Sequence, residues 1–352
     1  MNRLDEIISG IKPVVKSNKT RAVWDDIAHP IGSLGDLENL TIKIGNIEDR
    51  DIPTIDNRVL IVMAGDNGIF EEGVSSGYSE LTSSLINSMA RTKTASASMC
   101  LKSDVDVKLV DMGTRHEIND ARVIKHRFGS ETKNFAKEPA MDYDTCIDAV
   151  MVGVDLVLES DYDLYIVGEL GIANTTTSSA IMAALFHEDG KDVVGRGAGL
   201  DDEGMIKKTR VIDDAIKKYD LYNKTPLEIL AIIGGYEIAG MVGVFLGAAY
   251  KSRPVIIDGF IAAVAAVLAA HLNENVKDYL IASHLSGERQ MKKLLDYLGL
   301  KAHLNMDMRL GEGTGALLMV DMLDTAIFLL KHMGRWNEIN IRDELFNIRE
   351  DD

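Results

Sequence analysis

Three glycine-rich stretches hold the residues that could do chemistry. Residues 168–176 read Gly-Glu-Leu-Gly-Ile-Ala-Asn-Thr-Thr, fed by the apolar run Leu164-Tyr165-Ile166-Val167 and followed by a small-residue helical pattern from Thr177 to Phe186. A strand that turns through glycine into a helix start leaves backbone N–H groups pointing outward, and the helix dipole adds partial positive charge, so an anion can sit there. Asn174, Thr175 and Thr176 add side-chain donors at the cap, and Glu169 puts a carboxylate inside the same turn. A phosphate cradle with an acid beside it points to a phosphorylated sugar rather than a bare phosphate. The same pattern also describes a well-capped strand-to-helix connection.

The second stretch, residues 195–204, reads Gly-Arg-Gly-Ala-Gly-Leu-Asp-Asp-Glu-Gly and leads into a helical pattern carrying Lys207, Lys208 and Arg210. Its glycine spacing is wrong for a dinucleotide fingerprint, and no Lys-Ser/Thr pair makes a phosphate-binding P-loop. It reads as backbone that approaches a ligand closely, with one of the two lysines closing over it; helical phase alone does not choose which. The third stretch, residues 309–315, reads Arg-Leu-Gly-Glu-Gly-Thr-Gly. Glu312 has few bulky neighbours, so substrate can pack directly against it. A carboxylate held near apolar surface has a raised pKa and can act as a general base near neutrality; the alternative is a capping glutamate in a helix-terminal turn.

The elements that position these stretches alternate. Apolar strand-like runs at Arg58–Met63, Val105–Val110, Leu164–Val167, Pro254–Ile257 and Tyr279–Ala282 are separated by helical patterns. These cover Thr82–Leu101, Thr145–Leu158, Asp201–Tyr219, Tyr236–Tyr250, Phe260–Leu272, Gly287–Leu298 and Gly315–His332, after amphipathic helices over residues 1–17 and near Leu37–Ile47. The alternation predicts an α/β fold: a parallel sheet with helices on both faces, binding its ligand at the carboxyl ends of the strands. Asp66, Asp111, Glu169, Asp258 and His284 all fall at such ends.

Composition sets the outer bounds. The 352 residues are 46% hydrophobic and 26% charged, ample for a large core. With 38 Lys plus Arg against 55 Asp plus Glu, the net charge is −17, so nucleic acid and anionic membranes are not expected partners, and an anionic substrate must be caught by local donors. The two cysteines, Cys100 and Cys146, make no disulfide framework and suit a reducing cytoplasm. The N-terminus does not read as a secretory signal, and the most apolar stretch, Phe260–Ala270, is far shorter than the ~20 residues that cross a bilayer. The eight histidines lack metal-ligand spacing, and no nucleophile elbow occurs, so neither a metal, a cofactor nor a covalent nucleophile is expected. The acidic tail from Trp336 to Asp352 is expected to cover a surface or a partner.

Eight motifs in order resemble one family: Ala64–Gly68, Glu71–Ser75, the 168–176 turn, Gly195–Gly204, Gly234–Ala239, Asp258-Gly259-Phe260, Ser283-His284 and Arg309–Gly315. The family is nicotinate-nucleotide–dimethylbenzimidazole phosphoribosyltransferase, and the similarity spans nearly the whole chain from Gly32 onward. The resemblance implies transfer of the 5-phosphoribosyl group of nicotinate mononucleotide to an aromatic base, with inversion to the α-nucleotide, in cobalamin assembly. It implies a Rossmann-like large domain, residues 55–305, and a small helical domain from both chain ends, residues 1–50 and 315–352. It also implies a dimer, of two copies or with a paralogue. By the resemblance, Glu312 is the base that collects the proton of the incoming acceptor, and Glu169 and Lys208 flank the ribose and phosphate as further catalytic residues. Gly171, Asn174, Thr175, Thr176, Gly197 and Gly199 hold phosphate; Ser75, Tyr78, Asp258, Ser286, Leu310 and Gly311 complete the substrate-binding set. The chain departs from the family pattern at Asn67, where a histidine is usual, and across residues 76–84, which match the wall of the base pocket. Base choice is therefore what these departures touch, and the alternative reading is a relative that accepts phenol or p-cresol in a pair of unequal subunits, or a catalytically weak partner subunit.

Overall fold

The computed structural model describes residues 3–197 and 199–339. Six parallel strands form one sheet: β1 (Arg58–Gly65), β2 (Asp106–Gly113), β3 (Val123–Lys125), β4 (Leu164–Leu170), β5 (Val255–Ile257) and β6 (Leu280–Ala282), in the order β3-β2-β1-β4-β5-β6. β1 and β4 are buried along almost their whole length, as expected of continuous apolar runs covered on both sides. The direction of strand order reverses between β1 and β4, and a crevice opens at the carboxyl ends of such a pair. There Met63 pairs with Glu169 and Ala64 with Leu170.

Alternation along the strands divides the core in two. Val59, Ile61, Met63, Tyr165 and Val167 face helices Tyr143–Leu158, Tyr236–Tyr250 and Phe260–Leu272. Leu60, Val62, Ala64, Leu164 and Ile166 face helices Asp36–Glu48, Leu81–Ala90, Ala95–Lys102 and Thr314–His332. A third cluster, Trp24, Ile27, Ile42 and Leu330, ties helix Lys19–Asp26 to the far end of helix Thr314–His332. Trp336, at the start of the expected tail, donates to the Asp25 carbonyl (3.2 Å); the tail from residue 340 lies outside the described residues. Among the described residues no helix is long and apolar enough to cross a membrane.

Several boundaries differ from the sequence reading. The first helix, expected over 1–17, ends at Gly10, where glycine and nearby Pro13 remove what a continuing helix needs. The single helix expected over Thr82–Leu101 is two, because Thr92 takes a left-handed φ of 55° and Thr94 caps a new start by accepting from Ala97 N (3.3 Å). β3 and helices Lys19–Asp26 and Pro226–Ile233 had no expected counterpart.

Candidate active site

The turn after β4 is held from below. Asp66, just past β1, accepts from Thr82 Oγ1 (2.5 Å) and Ile172 N (3.3 Å) on one oxygen and from Arg115 N (2.8 Å) on the other. One buried carboxylate thereby fixes three loops at the strand ends. Ala173 takes a φ of 65°, and helix Asn174–Phe186 starts behind it. Asn174 Nδ2 donates to Glu169 Oε2 at 2.5 Å, tying that carboxylate to the helix start.

Glu312 reaches the same place from the other side. Gly311, Glu312 and Gly313 have φ values of 79°, 61° and 83°, three left-handed residues in succession. Such backbone is costly at a non-glycine residue and persists where the surroundings enforce it. Here they do: Asp258 accepts from Gly313 N (3.0 Å), Gly315 N (2.8 Å) and Ala316 N (3.2 Å), clamping the turn to the start of helix Thr314–His332. A Cβ on Gly168 would stand 3.0 Å from the Glu312 carbonyl carbon, and one on Gly311 would stand 2.6 Å from Glu169 Oε1. These two glycines let the turn lie against β4. The Glu312 amide donates to the Glu169 carboxylate, and Ser96 Oγ donates to Glu312 Oε2 at 2.9 Å.

Burial is the leading influence on Glu169, Asp258 and Glu312. Glu169 is pushed up to about 8 by desolvation, with the Asp258 and Glu312 charges adding and Asn174 opposing. Glu312 is also raised, by burial first, against the Ser96 hydrogen bond, with Asp258 adding. His284, whose Nδ1 lies 3.0 Å from Ser283 Oγ, is lowered by burial against the pull of Asp258. A Cβ on Gly315 would collide with the His284 ring, so the helix start and this histidine are fitted to each other.

The lysine left open by helical phase is decided by packing. Lys208 is fully buried, and its Nζ donates to the Gly195 carbonyl (3.0 Å) and Thr175 Oγ1 (3.3 Å), while Lys207 is exposed beside Gly73. Desolvation lowers Lys208 to about 8, against the attraction of Glu288. Gly197, at φ 51°, packs against Thr175, where a Cβ would stand 2.7 Å from its Oγ1.

The cleft between these elements has a volume of about 370 Å³. Of the expected site residues, Glu169, Gly171, Asn174, Thr175, Gly197, Ser286, Leu310, Gly311 and Glu312 line it. The others do not reach its wall. Lys208 sits one layer behind Thr175; Thr176 is buried, donating to the Val74 carbonyl (3.3 Å); Asp258 commits its oxygens to backbone amides. Tyr78 is 58% exposed, Ser75 is half-buried in the same loop, and Gly199 stands open at φ 102°. Leu81, Leu85, Ile172 and Phe260 give the cleft an apolar wall fit for an aromatic ring, and Glu288 adds a carboxylate. Sequence reasoning passed over Ser96 and Glu237. Ser96 follows a capping threonine, an ordinary helix start, and nothing local marks it as the partner of a residue 216 positions away. Among the described residues no group of three His, Cys, Asp or Glu side chains is arranged to hold a metal ion.

Comparison with known proteins shows the family. A family model described as phosphoribosyltransferase matches residues 13–341. A nicotinate-nucleotide–dimethylbenzimidazole phosphoribosyltransferase of Clostridium tetani is 39% identical, covering 99% of each chain. One from Chlorobaculum parvum is 36% identical over 97% of this chain and 98% of its own. The crystal structure of CobT from Thermus thermophilus superposes with a TM-score of 0.88 at 30% identity, covering 96% of this chain and 99% of that one. With its sheet order, its cleft at the carboxyl ends of the strands and this full-length similarity, the chain belongs to the nicotinate-nucleotide–dimethylbenzimidazole phosphoribosyltransferase family.

Proposed function

We propose that this chain transfers the 5-phosphoribosyl group of nicotinate mononucleotide to 5,6-dimethylbenzimidazole or a similar aromatic base, releasing nicotinate. The observation that carries the reading is the meeting of Glu312, on its enforced left-handed turn, with the helix start at 171–176 in one cleft. The phosphate is received at that helix start with Lys208 behind it; the rings lie against Leu81, Leu85 and Phe260. Glu312 accepts the N–H proton of the incoming base while the base's other nitrogen attacks the anomeric carbon from the face opposite nicotinate. The bond to nicotinate breaks with its electron pair going to the pyridinium nitrogen, which loses its positive charge, so the leaving group departs neutral at that atom. A ribosyl centre gaining positive charge is stabilised by adjacent carboxylates. In the free protein Glu169, raised to about 8, keeps its proton near neutrality, and the positive pyridinium ring of the nucleotide beside it favours the ionised form.

The same reading takes residues 55–305 as the substrate-binding domain and residues 1–50 with 315–352 as a small helical domain; the Trp24–Leu330 cluster supports the latter, although helix Thr314–His332 also covers the sheet. The buried free thiols Cys100 and Cys146 suit a cytoplasmic setting. Sedimentation of the purified chain alone distinguishes a dimer of two copies from one needing a paralogue. The direct test supplies nicotinate mononucleotide with dimethylbenzimidazole, adenine, phenol or p-cresol in excess EDTA. Dimethylbenzimidazole is expected to rank first, and Glu312→Gln to lose roughly 10²–10⁴ in kcat while still binding the nucleotide. Retained turnover in that variant refutes the role of Glu312.

A further inference from the structure

We propose that Glu237 is a positioning residue of this cleft: a neutral carboxylic acid, buried under the turn after β4, that sets where Gly171 and Asn174 stand and so where the nucleotide is received. The proposal rests on the phosphoribosyl-transfer reading of the cleft.

Glu237 lies in the first turn of helix Tyr236–Tyr250 and is fully buried. Glycines from three separate elements leave room for its carboxyl. A Cβ on Gly65, at the end of β1, would stand 2.8 Å from Oε2; one on Gly235 would stand 2.5 Å from Oε2 and 2.6 Å from Oε1; one on Gly171, in the cleft wall, would stand 3.2 Å from Oε1. The carboxyl thus occupies the point where β1, the turn after β4 and the helix start converge. Asn67 Nδ2 donates to Oε1 (2.8 Å), and Asn67 Oδ1 accepts from Thr177 Oγ1 (2.7 Å), continuing the chain into helix Asn174–Phe186. Asn67 N also donates to the Ile172 carbonyl at 3.3 Å.

An ionised carboxylate does not fit this site. Oε2 has no hydrogen-bond partner among the described residues, and the donors to the carboxyl are Asn67 and the Glu237 backbone amide, neither of them charged. The titratable groups that act on it, Glu169 at the end of β4 and Asp66 after β1, are both acids. A charge buried without a counter-ion costs several kcal/mol, and the protonated form avoids that cost. Burial first, with Glu169 and Asp66 adding, pushes Glu237 up to about 8.

The test compares wild type with Glu237→Gln and Glu237→Ala. Glutamine copies a neutral acid in shape and polarity, so its KM for nicotinate mononucleotide should stay within about threefold of wild type, whereas alanine frees the turn and should raise KM at least ~10-fold with kcat changed less. Melting is followed in parallel between pH 5 and 8.5. A carboxyl raised from 4.5 to about 8 contributes stability that is full below 4.5 and is lost as pH rises through about 8, so wild type should lose melting temperature with rising pH more steeply than Glu237→Gln. A glutamine variant as impaired as the alanine variant, or parallel melting curves, overturns the proposal. If alanine does not fold, Asn67→Ser, which cuts the same chain, replaces it. If wild type turns over no base at all, the transfer reading fails. The melting comparison and calorimetric binding of nicotinate mononucleotide to the variants then still decide the role of Glu237.

Discussion

Removing the hydroxyl of Ser96 tests the base assignment without touching the base. Ser96 Oγ donates to Glu312 Oε2 at 2.9 Å in a buried setting and stabilises the ionised carboxylate against desolvation, which alone would raise it further. A hydrogen bond to a charged group is worth about 1.5–3 kcal/mol, and one pKa unit corresponds to about 1.36 kcal/mol. Part of that bond also serves the protonated acid, so Ser96→Ala should raise the Glu312 pKa by about one unit rather than two. The sign follows from the role: Glu312 must be ionised to take a proton, so activity is present above its pKa and lost as pH falls through it. The acid limb of log kcat/KM against pH should therefore move to higher pH by about one unit, while the rate on the alkaline side of that limb stays within a few-fold of wild type because the base that remains is stronger. The assay is nicotinate release with dimethylbenzimidazole across pH 5 to 9. Comparison with wild type at each pH cancels the acceptor's own titration. An acid limb that stays in place, or moves to lower pH, refutes the claim that Glu312 is the base and Ser96 its support.

Lys208 makes a second pH prediction. Burial has lowered it to about 8, so it is charged below that value and neutral above it; nicotinate mononucleotide should bind progressively more weakly above pH 8. Lys208→Met should abolish that alkaline limb and raise KM by roughly 10–100-fold, because Thr175 in the cleft wall loses the charge-assisted bond behind it, as read from initial rates at pH 7 and 9. Gly153→Ala is a stability prediction away from the cleft. Helices Tyr143–Leu158 and Tyr236–Tyr250 touch through glycine, and a Cβ on Gly153 would run into the Gly240 carbonyl and stand 2.7 Å from Val244 N. Overpacking of that kind costs about 1–3 kcal/mol, so the urea midpoint should fall with KM unchanged; an unaltered midpoint would show that the helices separate freely.

Legibility in the sequence followed the range of the interaction. The alternation of apolar runs with helical periods is local, and it predicted five of the strands and the two-faced sheet. β3 escaped because its three residues run from buried Val123 to exposed Lys125 and leave no apolar run, whereas the equally short β6 is apolar and buried throughout. Helix Pro226–Ile233 was readable and was missed: Thr225, Pro226 and Glu228 form a complete capping box with proline in the first turn. The break at Thr92 was not, since threonine disfavours the φ of 55° that it takes in this exposed helix-terminal turn, where Thr92 N and Lys93 N donate to the Met89 and Ser88 carbonyls.

Residue types and glycine spacing were enough to mark the strand-end turns, to single out Glu169 and Glu312 as acids among glycines, and to reduce the lysine choice to Lys207 or Lys208. These are statements about a few consecutive residues, where backbone freedom and donor placement are written in the order of the chain. Which lysine is buried against Thr175 and which acid meets Ser96 had to wait for the fold. So did the finding that Asp258 serves three backbone amides and that Glu237 fills a hollow left by Gly65 and Gly171, far off in sequence, together with Gly235. Each joins segments far apart in sequence, and desolvation, which sets their charge states, depends on everything that surrounds a group rather than on its neighbours along the chain.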